Sequence, residues 1–264
     1  MKWQHVALTD RGRLRPRNED ALLARPERHL YAVADGMGGH AAGDVASALA
    51  VATLDAALPR APSPRIGPDA LGNRLRAAFQ AAHDAIIAQA LQQREQSGMG
   101  TTLTALAPLR SRPQCVIAHL GDSRAYRLRD GRLVQLTRDH TWVQQQVDAG
   151  KLSALQARSH PWASVLTRVL GGGEPGAADI IVTDAVPGDL FLLCTDGLSS
   201  VAGDADLAAL LVQPLPLEAL AQQLLQAALL RGGPDNITLI LLRTDSLVGA
   251  RLRPHLASES SLRS

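Results

Sequence analysis

The chain has no run of 18 apolar residues, only two cysteines and only two lysines, and its opening MKWQHVALTD carries no apolar signal core. The first absence leaves no candidate for a membrane-spanning helix. The last means that residues 3–9 are expected to be a first strand, not part of a leader. Cys115 and Cys194 both fall inside apolar runs, so they are expected to be small core residues and not a disulfide framework. Large net charge is absent too: Lys and Arg number 27 against 25 Asp and Glu, a formal +2. Composition therefore makes no case for nucleic acid or an anionic membrane. The basic residues are almost all Arg, with Lys only at positions 2 and 151. Beside the many Ala and Leu, this reads as coding bias before it reads as a binding surface.

What is present is globular: 46% apolar and 20% charged residues over 264 positions, enough for one large domain or two small ones with a sizeable core. A cytoplasmic enzyme, acting as a monomer, is the expectation. Strand-like runs occur near 3–9, 30–34, 101–107, 115–120, 124–129, 132–136, 179–184, 190–195 and 237–243. Helical periodicity covers 41–58, 70–96, 141–149, 204–212 and 216–230, as in Leu75, Ala78, Phe79, Ala82 and Ile86. Residues 115–136 read as consecutive hairpins turning at Gly121-Asp122 and Asp130-Gly131. The proline-rich 59–68 reads as an interhelix loop. Grouped strands and paired helices favour an α+β fold over alternating βα units. There is no internal repeat, and no kinase, sensor or docking segment accompanies the rest.

Four acidic signatures stand at the ends of apolar runs: Asp35-Gly36 after LYAVA, Gly121-Asp122-Ser123 after CVIAHL, Asp196-Gly197 after LFLLCT, and Asp235-Asn236 before ITLILL. Taken singly, each is an ordinary turn signal. Taken together, four carboxylates at strand ends are what a fold uses to gather hard oxygen ligands around small divalent cations. GMGGHA (36–41) has the G-x-G-x-x-A form of a dinucleotide fingerprint, but the residues after it continue as helix to 58 where a second strand is required, and no Lys follows for a P-loop. The glycines then read as a tight turn that brings a carbonyl near Gly36 to a metal beside Asp35. In TDRGRLRPRNED (9–20), Arg15, Arg17, Glu19 and Asp20 crowd into six residues. They form either a solvated charged loop or an Arg fork for phosphate with carboxylates that orient metal-bound water.

With TDRG (9–12), RPRNED (15–20), ADGMGGHAAG (34–43), GMGTTL (98–103), HLGDSRAY (119–126), LTRDH (136–140), VLTRVLGG (165–172), CTDGL (194–198) and PDNITL (234–239) in that order, the chain resembles the metal-dependent serine/threonine protein phosphatases of the type 2C class, in their compact bacterial form. The resemblance spans about residues 5–244, leaving 245–264 as a short polar tail. It implies two stacked antiparallel β-sheets flanked by helices, an α-β-β-α sandwich. It implies hydrolysis of phosphoserine and phosphothreonine monoesters by water activated on two Mn²⁺ or Mg²⁺ ions. Phosphorylated proteins would be the partners, among them a serine/threonine kinase or its targets.

By the same resemblance Asp35 bridges the two ions, the Gly36 carbonyl adds a ligand, Asp196 and Asp235 bind the second ion, and Asp122 with Asp196 forms a weaker third site. Arg15 grips the phosphate, with Arg17 as its competitor; Glu19 and Asp20 position waters, and Asn236 supports Asp235. Residues 139–165 would be a mobile flap beside the site. Met37 occupies the place of a His that many eukaryotic members carry as candidate general acid, and His40 follows three residues later, so the general acid is unassigned. His119 and His140 are expected to be structural. The alternative from another class is a catalytically silent relative that binds phosphoproteins, which would have lost one or more core acids.

Overall fold

The computed structural model describes residues 1–38, 42–59, 65–172 and 176–245. In LYAVA, Tyr31 and Val33 face one buried layer while Leu30, Ala32 and Ala34 face another. A strand apolar on both sides must be covered on both sides, and that decides the layering. One sheet runs in the order β1 (Lys2–Asp10), β11 (Ile237–Asp245), β10 (Leu190–Cys194), β7 (Arg124–Arg129), β8 (Arg132–Gln135). The other runs β2 (Asp20–Arg25), β3 (Leu30–Met37), β5 (Leu103–Pro108), β6 (Gln114–Leu120), β9 (Asp179–Asp184), with the short β4 (Gly100–Thr101) also paired to β3. Every strand pairing among the described residues is antiparallel. That removes the dinucleotide-binding reading, which needs a parallel sheet.

Three apolar layers result. Tyr31, Val33, Ile117, Phe191, Leu193 and Ile240 fill the space between the sheets. Outside the second sheet lie α1 (Gly43–Ala57) and α2 (Pro68–Gln92), which contribute Ala46, Ala50, Leu54, Leu75, Phe79 and Ile86. Outside the first lie α5 (Asp196–Ser199), α6 (Asp204–Leu211) and α7 (Leu217–Leu230), with Leu198, Leu207, Leu220 and Leu224 inward. Two further short helices, α3 (Trp142–Asp148) and α4 (Ala154–Arg158), stand within the predicted flap. Thr141 caps α3, and a Ser153–Gln156 capping box starts α4. The α-β-β-α sandwich expected from the resemblance is the fold observed. Cys115 lies between the sheets and Cys194 beneath the helices, both free, and burial pushes both thiols up to about 12. Among the described residues no helix is long and apolar enough to cross a membrane.

Several expectations change. Gly121-Asp122 is not a hairpin turn: β6 belongs to one sheet and β7 to the other, so the chain crosses between sheets there. Gly121 turns with φ +112°, a value that L side chains resist. Asp130-Gly131 is the expected hairpin, with both residues at positive φ. The helix predicted to 96 ends at Gln92, followed by a 3₁₀ turn over Arg94–Gln96. Strand β2 is an addition, since the strand-like runs do not include Asp20–Arg25. The predicted turn after Asp35 is strand as far as Met37, and Gly36 is needed instead for close approach, since a Cβ there would collide with the carbonyls of Gly43 and Glu19. Of the predicted tail, Asp245 closes β11 and the rest lies outside the described residues.

His119 and His140 are structural, as expected. His119 Nε2–H donates to the Arg138 carbonyl at 2.9 Å and its Nδ1 accepts from the Thr104 hydroxyl at 2.9 Å. His140 Nδ1 accepts from the Gly121 N–H at 3.0 Å, and its Nε2 faces Asp179 at 3.1 Å. Burial and the neighbouring His140 lower the His119 pKa to about 4 from 6.5. The unfolded chain therefore takes a proton near pH 6.5 that the folded chain refuses until about pH 4. This contribution is fully present above pH 6.5 and falls as pH drops toward 4, by on the order of 3 kcal/mol in all. Urea unfolding at pH 7 and pH 5 is expected to show a smaller loss for His119→Asn than for the parent; equal losses would contradict the assignment.

Candidate active site

Strand ends converge at one edge of the sandwich. Asp35 lies near the end of β3 and is the registered partner of Asp20, the first residue of β2. Asp122 sits in the crossover from β6 to β7, Asp196 opens α5 just after β10, and Asp235-Asn236 precedes β11. A cavity of about 240 Å³ opens there, lined by Arg15, Glu19, Asp35, Gly36, Met37, Gly38, Asp122, Ser164, Leu166, Asp196, Asp235 and Asn236. Every predicted site residue except Asp20 lines it. Arg17, the competitor of Arg15, does not.

Asp20 sits one layer behind. Its Oδ2 accepts from the Thr195 hydroxyl at 2.8 Å, and burial pushes its carboxyl up to about 7 against hydrogen bonds from Thr238 and Thr195. Asn236 does more than support Asp235. Its Nδ2 donates to the carbonyls of Arg11 and Arg17, both at 2.8 Å, and its Oδ1 accepts the Glu19 N–H at 2.8 Å. One buried amide thus clamps the whole β1–β2 loop to the rim. Asp35 is held by its backbone: its N–H donates to Thr102 Oγ1 at 2.9 Å, while its carbonyl accepts from Thr101 Oγ1 at 2.8 Å and Thr102 N–H at 2.9 Å. Thr101, Thr102 and Thr195 are positioning residues that the sequence reading did not single out. The signal was there, since hydroxyls in the otherwise apolar GMGTTL and LFLLCT runs need buried partners.

The carboxylates are mutually hostile. Asp35 is held well above the usual carboxylate range by burial first, then by Asp196, Asp20 and Asp122. Asp122 is raised by burial and then Asp196, and Asp196 by burial and then Asp235. Buried Asp196 Oδ1 and Asp20 Oδ1 have no hydrogen-bond partner in the protein. Like charges packed in low dielectric, with an orphaned acceptor among them, call for a cation. Among the described residues no three acids stand close enough together to hold an ion as they are, and Asp235 Oδ2 takes Arg15 at 2.6 Å. The all-oxygen donor set fits Mg²⁺ or Mn²⁺ better than Zn²⁺.

Glu19 is raised by burial and then by Asp44. Met37 is 39% exposed at the cavity and has no proton to donate. His40 lies outside the described residues. The predicted flap roofs a neighbouring cavity of about 330 Å³, lined by Val143, Val147, Ala157 and Arg158 and sharing Asp122, Ser164 and Asp196 with the first.

The family model described as protein phosphatase 2C matches residues 15–231. A serine/threonine protein phosphatase PstP of Mycobacterium tuberculosis is 42% identical over 238 residues, covering 90% of this chain and 44% of that protein. The chain thus spans less than half the length of that relative. A serine/threonine phosphatase stp of Listeria monocytogenes is 36% identical over 240 residues, 90% of this chain and 94% of that one. A solved catalytic domain of serine/threonine protein phosphatase PstP in complex with two manganese ions superposes with a TM-score of 0.81 at 38% identity, covering 92% of this chain and 99% of that one.

Proposed function

This chain belongs to the protein phosphatase 2C family, and on that premise we propose that it is a serine/threonine protein phosphatase that hydrolyses phosphoserine and phosphothreonine monoesters with a pair of Mn²⁺ or Mg²⁺ ions. The observation that carries this reading is the convergence of Asp35, Asp122, Asp196 and Asp235 with Arg15 on one cavity. In it Asp35, the Gly36 carbonyl, Asp196 and Asp235 would hold the two ions, and Asp122 with Asp196 would hold a weaker third. When bound, such ions draw charge from the phosphate oxygens and make water a better nucleophile at neutral pH.

The protein's own groups do the rest. Arg15 gives one of its five N–H donors to Asp235 and keeps about half its side chain exposed, leaving a fork for the non-bridging phosphate oxygens. Glu19 orients water from the rim, and Asp20 steadies the floor through Thr195. Met37 cannot supply a proton to the leaving alcohol, and the general acid stays unassigned. Both cysteines are buried in strands, which argues against a phosphocysteine route. The silent-relative alternative is disfavoured because no core acid has been replaced. Phosphorylated proteins are the substrates in this reading, kinases or their targets among them, and the cytoplasm is the site of action.

Chelation is expected to abolish turnover of an aryl phosphate and of phosphothreonine peptides, and added Mn²⁺ or Mg²⁺ to restore it. Full activity after exhaustive chelation would sink the metal mechanism.

A further inference from the structure

Arg11, Arg13, Arg15 and Arg17 fall within seven consecutive residues that contain no acid, in a protein whose overall charge is only +2. All four are exposed, as is Leu14 at 72%. The loop that carries them is anchored to the site, not merely near it. Asn236 fixes it at Arg11, Arg17 and Glu19, the Arg13 N–H donates to the Gly233 carbonyl at 2.8 Å, and the Gly12 N–H donates to Asp10 Oδ1 at 2.8 Å. Three of the guanidinium groups are engaged: Arg15 with Asp235, Arg13 with the Leu229 carbonyl at 2.9 Å, and Arg11 with the Pro16 carbonyl at 3.4 Å. The Arg17 side chain makes no hydrogen bond or ion pair among the described residues. Among the described residues only Arg15 of the four makes an ion pair, while the Arg17 charge is felt by Glu19 without bonding to it.

We propose that Arg17, backed by Arg13, is a specificity-determining residue that reads acidic side chains flanking the phosphorylated residue, so that the preferred substrates are phosphopeptide segments rich in Asp or Glu. This rests on the phosphatase reading and on Arg15 as the phosphate clamp. Two residues of extended chain span at most about 7 Å, so Arg17 stands from Arg15 no farther than a substrate residue two positions away stands from the phosphorylated one. The backbone hydrogen bonds hold the charge in place, so little loop entropy is lost when a peptide docks. A mainly electrostatic contact at an exposed rim acts through KM and fades with salt.

The test uses the Mn²⁺-loaded full chain and three phosphothreonine peptides that differ only in flanking residues: acidic, neutral and basic, with aryl phosphate as the reference for the catalytic site. The parent is expected to favour the acidic peptide over the neutral one by roughly fivefold in kcat/KM at low salt, as a few exposed ion pairs allow, and to disfavour the basic one. Arg17→Glu is expected to bring the acidic-to-neutral ratio to one or below, through KM, while Arg17→Lys retains it; 0.5 M salt should flatten the parent's preference. Equal kcat/KM for acidic and neutral peptides in the parent, or an unchanged ratio in Arg17→Glu, would overturn the inference. Failure of the parent to turn over aryl phosphate would overturn the phosphatase reading itself.

Discussion

Asp35→Ala is expected to lose turnover by at least about a thousandfold, because in the proposed reading it removes a carboxylate that would serve both ions at a site whose chemistry is electrostatic. Its neighbours set the direction. Asp35 is half-buried at the cavity wall, is the registered partner of Asp20 across β2–β3, and is held well above the usual carboxylate range by burial and then by the charge of Asp196. The backbone at this position is held independently by Thr101 and Thr102, so the strand keeps its place when the carboxylate goes. Removing one of several crowded, desolvated acids also relieves repulsion. The ion-free variant is therefore expected to melt no lower than the ion-free parent, even though it is inactive. Asp196→Ala and Asp235→Ala should follow the same pattern. Asp122→Ala should keep both core ions and lose kcat more than KM. Calorimetry would decide: an Asp35→Ala protein that binds two ions as tightly as the parent has been assigned the wrong ligand.

That set of acids was legible in the sequence because each stands where an apolar run stops or starts, and strand ends of both sheets meet at one edge of the sandwich. The runs alone pointed to an α+β fold, and the two stacked sheets came only with the family resemblance that the order of the motifs carries. What escaped was of two kinds. Strand β2, DALLAR, lies at a sheet edge, is only six residues long and adjoins the charged RPRNE stretch. Its apolar content is too slight to announce pairing. The Gly121-Asp122 crossover has the local chemistry of a hairpin turn, and only the partners of β6 and β7 reveal that they belong to different sheets.

The second kind is contact across distance in the chain. Asn236 reaches Arg11 and Arg17 over more than two hundred residues, and Thr195 reaches Asp20 over 175. Neither link leaves a local periodicity to read. The division of labour between Glu19 and Asp20 has the same origin. Adjacent residues at the start of a strand point to opposite faces, so Glu19 looks into the cavity and Asp20 into the core.

Arg15→Ala is expected to raise KM for small phosphate esters roughly ten- to a hundredfold, the loss of one or two hydrogen bonds to a charged group. Geometry now separates Arg15 from Arg17, which the sequence left side by side. Arg15 lines the cavity and reaches Asp235, with Asp35 and Asp196 also raising its pKa by their charge. Arg17 sits outside the lining. Inhibition by inorganic phosphate should weaken in parallel with KM, because both report the same fork on the same dianion. Arg15→Lys is expected to recover only part of the loss, since a point charge cannot make the paired contacts of a planar guanidinium. Metal affinity should change little, because Arg15 donates to Asp235 and does not replace it as a ligand. If Arg17→Ala instead produced the larger rise in KM for a small ester, the clamp would be Arg17, and the cavity wall would have to rearrange to bring it in.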